Sequence, residues 1–374
     1  MRLRHFTLLL WIALFLVLGE VALELRAKGK GYGALLFDRG ALASVFSDEA
    51  TNVSAEATTA VDGFGPTADF PFRSRVVDEV APAGTTRIMI ASASYAEDRK
   101  QPVTAIFPVL LEDELRARGF EVQVLNASSN AYSLGTAARV LTEELPRWEP
   151  DLVLVYHYSN DLDEIAPRVL SVAGGGAPNA TAGDAEASGD DADEGTPRTE
   201  RERPWPSRLM EATTAYAQAK NQIKARLVGL RLLEPTLPPE VLAALRERLD
   251  AVRAVTESSG AELVLVQFAC SHPASQGGSL PAPYRNNLFR YNSYLSERAW
   301  REGVGDWNTL LAGYGATHDL AVLDLPRDLA GRHECFRDFC HLKELGHQVA
   351  ARSLADALEP LLAERAGEGE EGDE

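Results

Sequence analysis

A serine hydroxyl becomes a nucleophile when an imidazole takes its proton. The imidazole keeps the right tautomer when a carboxylate faces its other nitrogen. Ser94, His341 and Asp338 supply these three groups, with the acid three residues before the histidine. The oxyanion that develops in such an attack needs fixed hydrogen-bond donors. The side-chain amide of Asn160 and backbone amides near Ser94 and Ala131 can provide them. Ser92 is the fallback nucleophile and Asn130 a candidate substrate contact. Taken singly, Ser94 is an ordinary loop serine, His341 a capping or core histidine, and Asn160 a turn residue. His157 flanks the pocket or packs, and His347, beside Gly346, is structural.

Only a scaffold that closes a long stretch of chain can bring residue 94 to residue 341. Short apolar runs at Arg87–Ala91, Phe120–Leu125, Asp151–Tyr156, Glu262–Phe268 and Leu320–Asp324 read as strands. Helical spacing between them covers 102–119, with Phe107, Leu110, Leu111 and Leu115 on one face and Gly119 at its end. Further helices are expected at 133–148, about 206–232, 238–258, 290–314 and about 343–363. Strands alternating with helices predict an α/β protein, its parallel sheet of about five strands covered on both faces. Chemistry in such sheets collects beyond the carboxyl ends of the strands. Ser94, Asn126–Tyr132, His157–Asp161 and Cys335–His341 all follow strands.

At those positions the chain resembles the SGNH (GDSL-type) hydrolases, a family with four motif blocks. Ser92-Ala-Ser94-Tyr-Ala-Glu-Asp98 is similar to the first block, Gly-Asp-Ser, with Ser94 at the nucleophile. Asn126-Ala-Ser-Ser-Asn130-Ala131-Tyr132 is similar to the second, Tyr158-Ser-Asn160-Asp161 to the third, and Asp338-Phe-Cys-His341 to the fourth. The resemblance spans about residues 86–363 outside an insertion. It implies a flavodoxin-like three-layer α/β/α fold. It also implies a Ser94–His341–Asp338 triad whose oxyanion hole is built from Ser94, Ala131 and Asn160, and an acyl-ester substrate, carbohydrate-linked in some members. No metal or organic cofactor is implied. The family's glycines and first-block acid are replaced: Ser92, Ala93, Ala131 and Tyr158 stand in their places. Hydrolysis of an acyl ester, or its transfer to a glycan hydroxyl, is the first expectation. A non-catalytic envelope module that keeps the fold for binding or scaffolding is the second.

The 374 residues carry 37 Lys+Arg against 55 Asp+Glu, a net charge of −18. That acidity argues against a nucleic-acid partner. Asp184, Glu186, Asp190, Asp191, Asp193 and Glu194 form one acidic stretch. Glu364, Glu368, Glu370, Glu371, Asp373 and Glu374, with Arg365, form another. Together these are 12 acids and one base, hence −11 of the −18. The first stretch lies in a low-complexity insertion, 172–204, which also holds the sequon Asn179-Ala-Thr181. The second is an acidic tail at 364–374, expected to be disordered. Arg2 and Arg4 precede an apolar run, so residues 1–25 read as a signal anchor crossing the membrane at 6–25, or as a signal peptide. The anchor reading leaves the amino end cytoplasmic and the remainder exported, on the periplasmic face in a bacterium. Residues 26–84 read as a tether and 85–363 as one domain. Three cysteines cannot form a disulfide framework, and no CxxC pair suggests zinc. In an oxidising compartment a Cys335–Cys340 disulfide would pin the Asp338–His341 loop. Unpaired thiols, or pairing of one with Cys270, are the other readings.

Overall fold

Five strands form one parallel sheet: β1 (Thr86–Ala91), β2 (Val122–Asn126), β3 (Leu152–Val155), β4 (Glu262–Val266) and β5 (Val322–Leu323). Their spatial order is β2-β1-β3-β4-β5. Ile88 lies beside Val124 on one side and Leu152 on the other, Leu154 beside Val264, and Leu265 beside Val322. The strands are mostly apolar because both faces are covered, and Ile88, Leu152, Val264 and Leu265 are all fully buried. The computed structural model describes residues 61–67, 69–173, 233–292 and 294–371, which belong to one unit of the chain.

The helices are α1 (Ser94–Glu97), α2 (Phe107–Ala117), α3 (Leu134–Trp148), α4 (Ser159–Ala173), α5 (Pro239–Ser259), α6 (Ala282–Tyr291), α7 (Glu297–His318), α8 (Pro326–Leu329) and α9 (Glu344–Glu371). The chain steps outward from β1 to β2, then back across to β3. Right-handed crossovers therefore put α2 on one face of the sheet and α3 and α5 on the other. The contacts agree, since α9 packs on α2, and α5 packs on α3 and α4. Phe107, Leu111 and Leu115 form the buried stripe of α2, each worth about 1.5–3 kcal/mol of burial. Ser133 caps α3 by accepting from Thr136 N–H at 3.4 Å.

Several expectations change. Residues 61–84 are not a bare tether: Phe70, Phe72, Arg73 and Ser74 are buried, and the rings of Phe70 and Phe72 pack edge-on against Trp148. The tail expected to be disordered continues α9 as far as Glu371. Ala366, Arg365 and its glutamates favour helix against Gly367 and Gly369, and Arg365 anchors it to Glu262 at 3.0 Å and Asp151 at 3.4 Å. The helix expected at 290–314 is two, α6 and α7, divided after Tyr291 and restarted by the Ser296 cap. Helix α4 begins directly after β3, where only a loop was expected. The anchor of residues 1–25, nearly all of the 172–204 insertion and the helix expected at about 206–232 lie outside the described residues. Among the described residues no helix is long and apolar enough to cross a membrane.

Candidate active site

The direction reverses between β1 and β3, which is where such sheets open a crevice. Ser94 follows β1 and opens the short helix α1, Asn160 lies in the first turn of α4 after β3, and Ala131 lies in the loop after β2. Asp338 and His341 come from the loop before α9. A tight hairpin shapes this loop: Phe336 bridges Leu342 antiparallel, Arg337 N–H donates to the His341 carbonyl at 2.9 Å, and Lys343 N–H donates to the Cys335 carbonyl at 2.8 Å.

Ser94 Oγ lies 2.9 Å from His341 Nε2. On the far side of the ring, Nδ1 lies 2.9 and 3.0 Å from the two Asp338 oxygens. An ionised carboxylate only accepts. The Nδ1 atom therefore carries the proton, and the Nε2 lone pair faces the serine hydroxyl. Asp338 also accepts backbone N–H bonds from His341 at 2.8 Å and Cys340 at 3.0 Å, and the Asn287 side-chain amide at 3.0 Å. Burial pushes this carboxyl up, but His341 and the converging hydrogen bonds outweigh it and hold it down to about 2. The group is thus a fixed anion, and the arrangement can draw a proton from Ser94 and stabilise the imidazolium that results.

The candidate oxyanion donors lie just beyond the carboxyl ends of neighbouring strands, Ala131 after β2 and Asn160 after β3. Ala131 has φ +62°, a left-handed conformation favoured by glycine, and its methyl group is exposed. Asn160 Nδ2 donates to the Tyr132 carbonyl at 3.0 Å, which leaves its second N–H. Tyr95 aims that amide. Its hydroxyl accepts Asn160 N–H at 3.3 Å and donates to Asn160 Oδ1 at 3.5 Å. Burial raises the Tyr95 phenol well above its usual pKa, so it remains a donor. Tyr95 and Asn287 were not singled out from the sequence. A hydrogen bond between Tyr95 and a residue 65 positions away leaves no local pattern. The helix start at Pro281 and Pro283 is a local signal for α6 and its Asn287.

Ser92 is fully buried and donates to the Tyr156 carbonyl at 2.6 Å, so it does not serve as a nucleophile. Its hydroxyl instead ties the end of β1 to β3. Asn130 is exposed on the rim beside Ala131. His157 is buried, with Nδ1 3.6 Å from Asp161. Its neighbour Asp161 accepts Leu134 N–H at 2.8 Å and so holds the start of α3.

The Cys335–Cys340 disulfide is not formed: Cys270, Cys335 and Cys340 are all free, buried thiols. Cys340 Sγ turns toward His341 Nδ1, 3.6 Å away. Burial raises the Cys335 and Cys340 thiols above their usual range and pushes Cys270 up to about 12, so all three remain protonated.

No family model matches the chain, and no curated relative does. Solved structures do. The lipase/acylhydrolase from Enterococcus faecalis is 14% identical, with 74% of this chain and 96% of that one covered at a TM-score of 0.41. A member of the lipolytic protein G-D-S-L family from Veillonella parvula is 10% identical, with 73% and 97% covered at 0.40. The acetyl xylan esterase AlAXEase is 9% identical, with 73% and 99% covered at 0.40. The chain is similar to these proteins, and the chemistry of its site rests on its own atoms.

Proposed function

We propose that the chain is a serine esterase that cleaves, or transfers, an acyl ester through Ser94, His341 and Asp338. The observation that carries this reading is the unbroken relay of 2.9 Å from Ser94 Oγ to His341 Nε2 and 2.9 Å from His341 Nδ1 to Asp338. Ser94 Oγ attacks the ester carbonyl carbon as its proton passes to Nε2. The oxyanion is held by the backbone N–H groups of Ser94 and Ala131 and by Asn160 Nδ2. Collapse of the tetrahedral intermediate expels the alcohol, which takes the proton from Nε2, and leaves an acyl-serine. Water, or a sugar hydroxyl in the transfer variant, then attacks the acyl carbon as its proton passes to His341 Nε2; collapse breaks the acyl–Oγ bond, Nε2 returns the proton to Ser94, and the acid or new ester leaves.

In this proposal the apolar run at residues 6–25 holds the chain in a membrane, the domain lies on the exported side, and the ester is borne by an envelope carbohydrate. Hydrolysis of p-nitrophenyl acetate by the full chain in detergent, beside Ser94→Ala, tests the chemistry. Turnover and fluorophosphonate labelling that both vanish in Ser94→Ala are the expected result. Turnover unchanged in the variant removes Ser94 as nucleophile. No turnover and no labelling of either protein favours a binding module.

A further inference from the structure

The relay joins two distant pieces of chain, and nothing covalent holds them together. A second buried cluster beneath it does that work. Asp98 follows α1, and its N–H donates to the Ser94 carbonyl at 3.1 Å. Its carboxylate, 2% exposed, receives Arg337 Nη1 at 3.2 Å and Nη2 at 2.9 Å. Arg337 is the residue before Asp338. The same carboxylate lies 2.9 Å from Nε2 of His347, which is wholly buried in the first turn of α9. Phe107 N–H donates to His347 Nδ1 at 3.1 Å, so the ring's proton sits on Nε2 and points at Asp98. A fourth donor, Lys100 N–H, lies 3.3 Å away.

The nucleophile helix is gripped from other sides as well. Arg73 donates to the carbonyls of Glu97, Asp98 at 3.1 Å and Gln101 at 2.6 Å. Asn126 Nδ2 donates to the Ala96 carbonyl at 3.1 Å. These bonds settle the free carbonyls at the end of α1. Asp98 reaches further, across to Arg337 in the loop that carries the acid and base. It does so from φ +24°, a backbone setting that a non-glycine residue keeps only when its surroundings fix it.

We propose that Asp98, through Arg337 and His347, is a positioning residue that sets the distance between Ser94 Oγ and His341 Nε2. The inference rests on the esterase reading for its kinetic consequence. The bidentate pair fixes direction as well as separation, so the loop arrives in register with α1.

The test uses the full chain and Asp98→Asn, Arg337→Gln, the double variant and Arg337→Lys. Leu245→Ala, a fully buried residue of α5 outside the network, serves as a control for lost thermal stability. The expected result is kcat about 10- to 100-fold lower in Asp98→Asn and Arg337→Gln, with KM for p-nitrophenyl acetate within about threefold. The double variant should be no worse than the poorer single, because both remove one coupling. Arg337→Lys keeps the charge and should recover part of kcat, which also covers the case in which Asp98→Asn fails to fold. A kcat within threefold of wild type, or a loss no larger than that of the control at equal melting temperature, overturns the proposal. The crystal structure of a folded variant gives a second answer that needs no turnover. A Ser94 Oγ to His341 Nε2 separation opened past about 3.5 Å supports the clamp, and one unchanged from 2.9 Å overturns it. Wild type without turnover or probe labelling removes the esterase reading, while that distance still decides the clamp.

Discussion

Replacing Ala131 with glycine should make the protein more stable without costing it activity. Ala131 sits at φ +62°, where its Cβ crowds the following carbonyl. A left-handed non-glycine residue costs about 1–2 kcal/mol. Glycine relieves that cost but loosens the unfolded chain, which takes back about 0.4–1 kcal/mol. The exposed methyl group fills no core space, so its loss opens no cavity. The balance is a gain of about 0.7 kcal/mol for Ala131→Gly. In a domain of this size about 2–4 °C accompanies each kcal/mol, so the melting temperature should rise by about 2 °C. Thermal unfolding followed by circular dichroism reads this directly. The backbone N–H is present in both proteins, so kcat/KM on p-nitrophenyl acetate should stay within about threefold or increase. A melting temperature lowered by more than about 2 °C would show that residue 131 is unstrained and refute the reasoning. A tenfold fall in kcat/KM would show that the methyl group itself shapes the site.

Asp338→Asn keeps the loop's shape but offers Nδ1 no fixed anion, and kcat should fall by about 10⁴, measured on the same ester. Tyr95→Phe frees the Asn160 amide to turn, and kcat should fall by about 5- to 30-fold, equivalent to about 1–2 kcal/mol, with KM little changed. Gly346→Ala places a methyl group on the Cys335 carbonyl and against Leu342. Urea unfolding should show a loss of about 1–3 kcal/mol. Acid should destabilise the protein in two windows. Burial lowers the folded-state pKa of His347 even though Asp98 opposes it, so the unfolded chain binds the extra proton and stability falls as pH drops below about 6.5. Asp338 is held down to about 2 against an ordinary 3.8, so its contribution is full above about 4 and lost between about 4 and 2. Urea midpoints from pH 7 to 3 measure the first window directly, and His347→Gln should flatten it.

Much of the scaffold could be read in the sequence because it obeys local rules. Unbroken apolar runs such as Leu152–Val155 are what a strand covered on both faces requires. The stripe Phe107, Leu111, Leu115 has the period of a helix. Ser94, Asn160, Asp338 and His341 stood out because each follows a strand or its return loop. What stayed hidden depends on partners far along the chain. Arg337 is an unremarkable loop arginine until Asp98, 239 residues away, is found beside it. Phe70 and Phe72 lie in a stretch without periodicity and are buried only because Trp148 provides the surface they cover. The cysteine spacing permitted a bridge, but Cys340 Sγ faces His341. Residue spacing alone does not show which way a side chain faces.

The separation of Ser94 from His341 by 247 residues also bears on how the protein acquires its function. Bringing such distant groups together costs loop-closure entropy, which slows folding. The pairing of β1 with β2 and β3 needs only the first half of the sheet, whereas the relay also needs the segment running from β5 into α9. On refolding, the secondary structure of the first half can return before the chain gains a proton relay. In the esterase proposal, the return of ester turnover reports that long-range docking, and far-ultraviolet ellipticity reports the secondary structure.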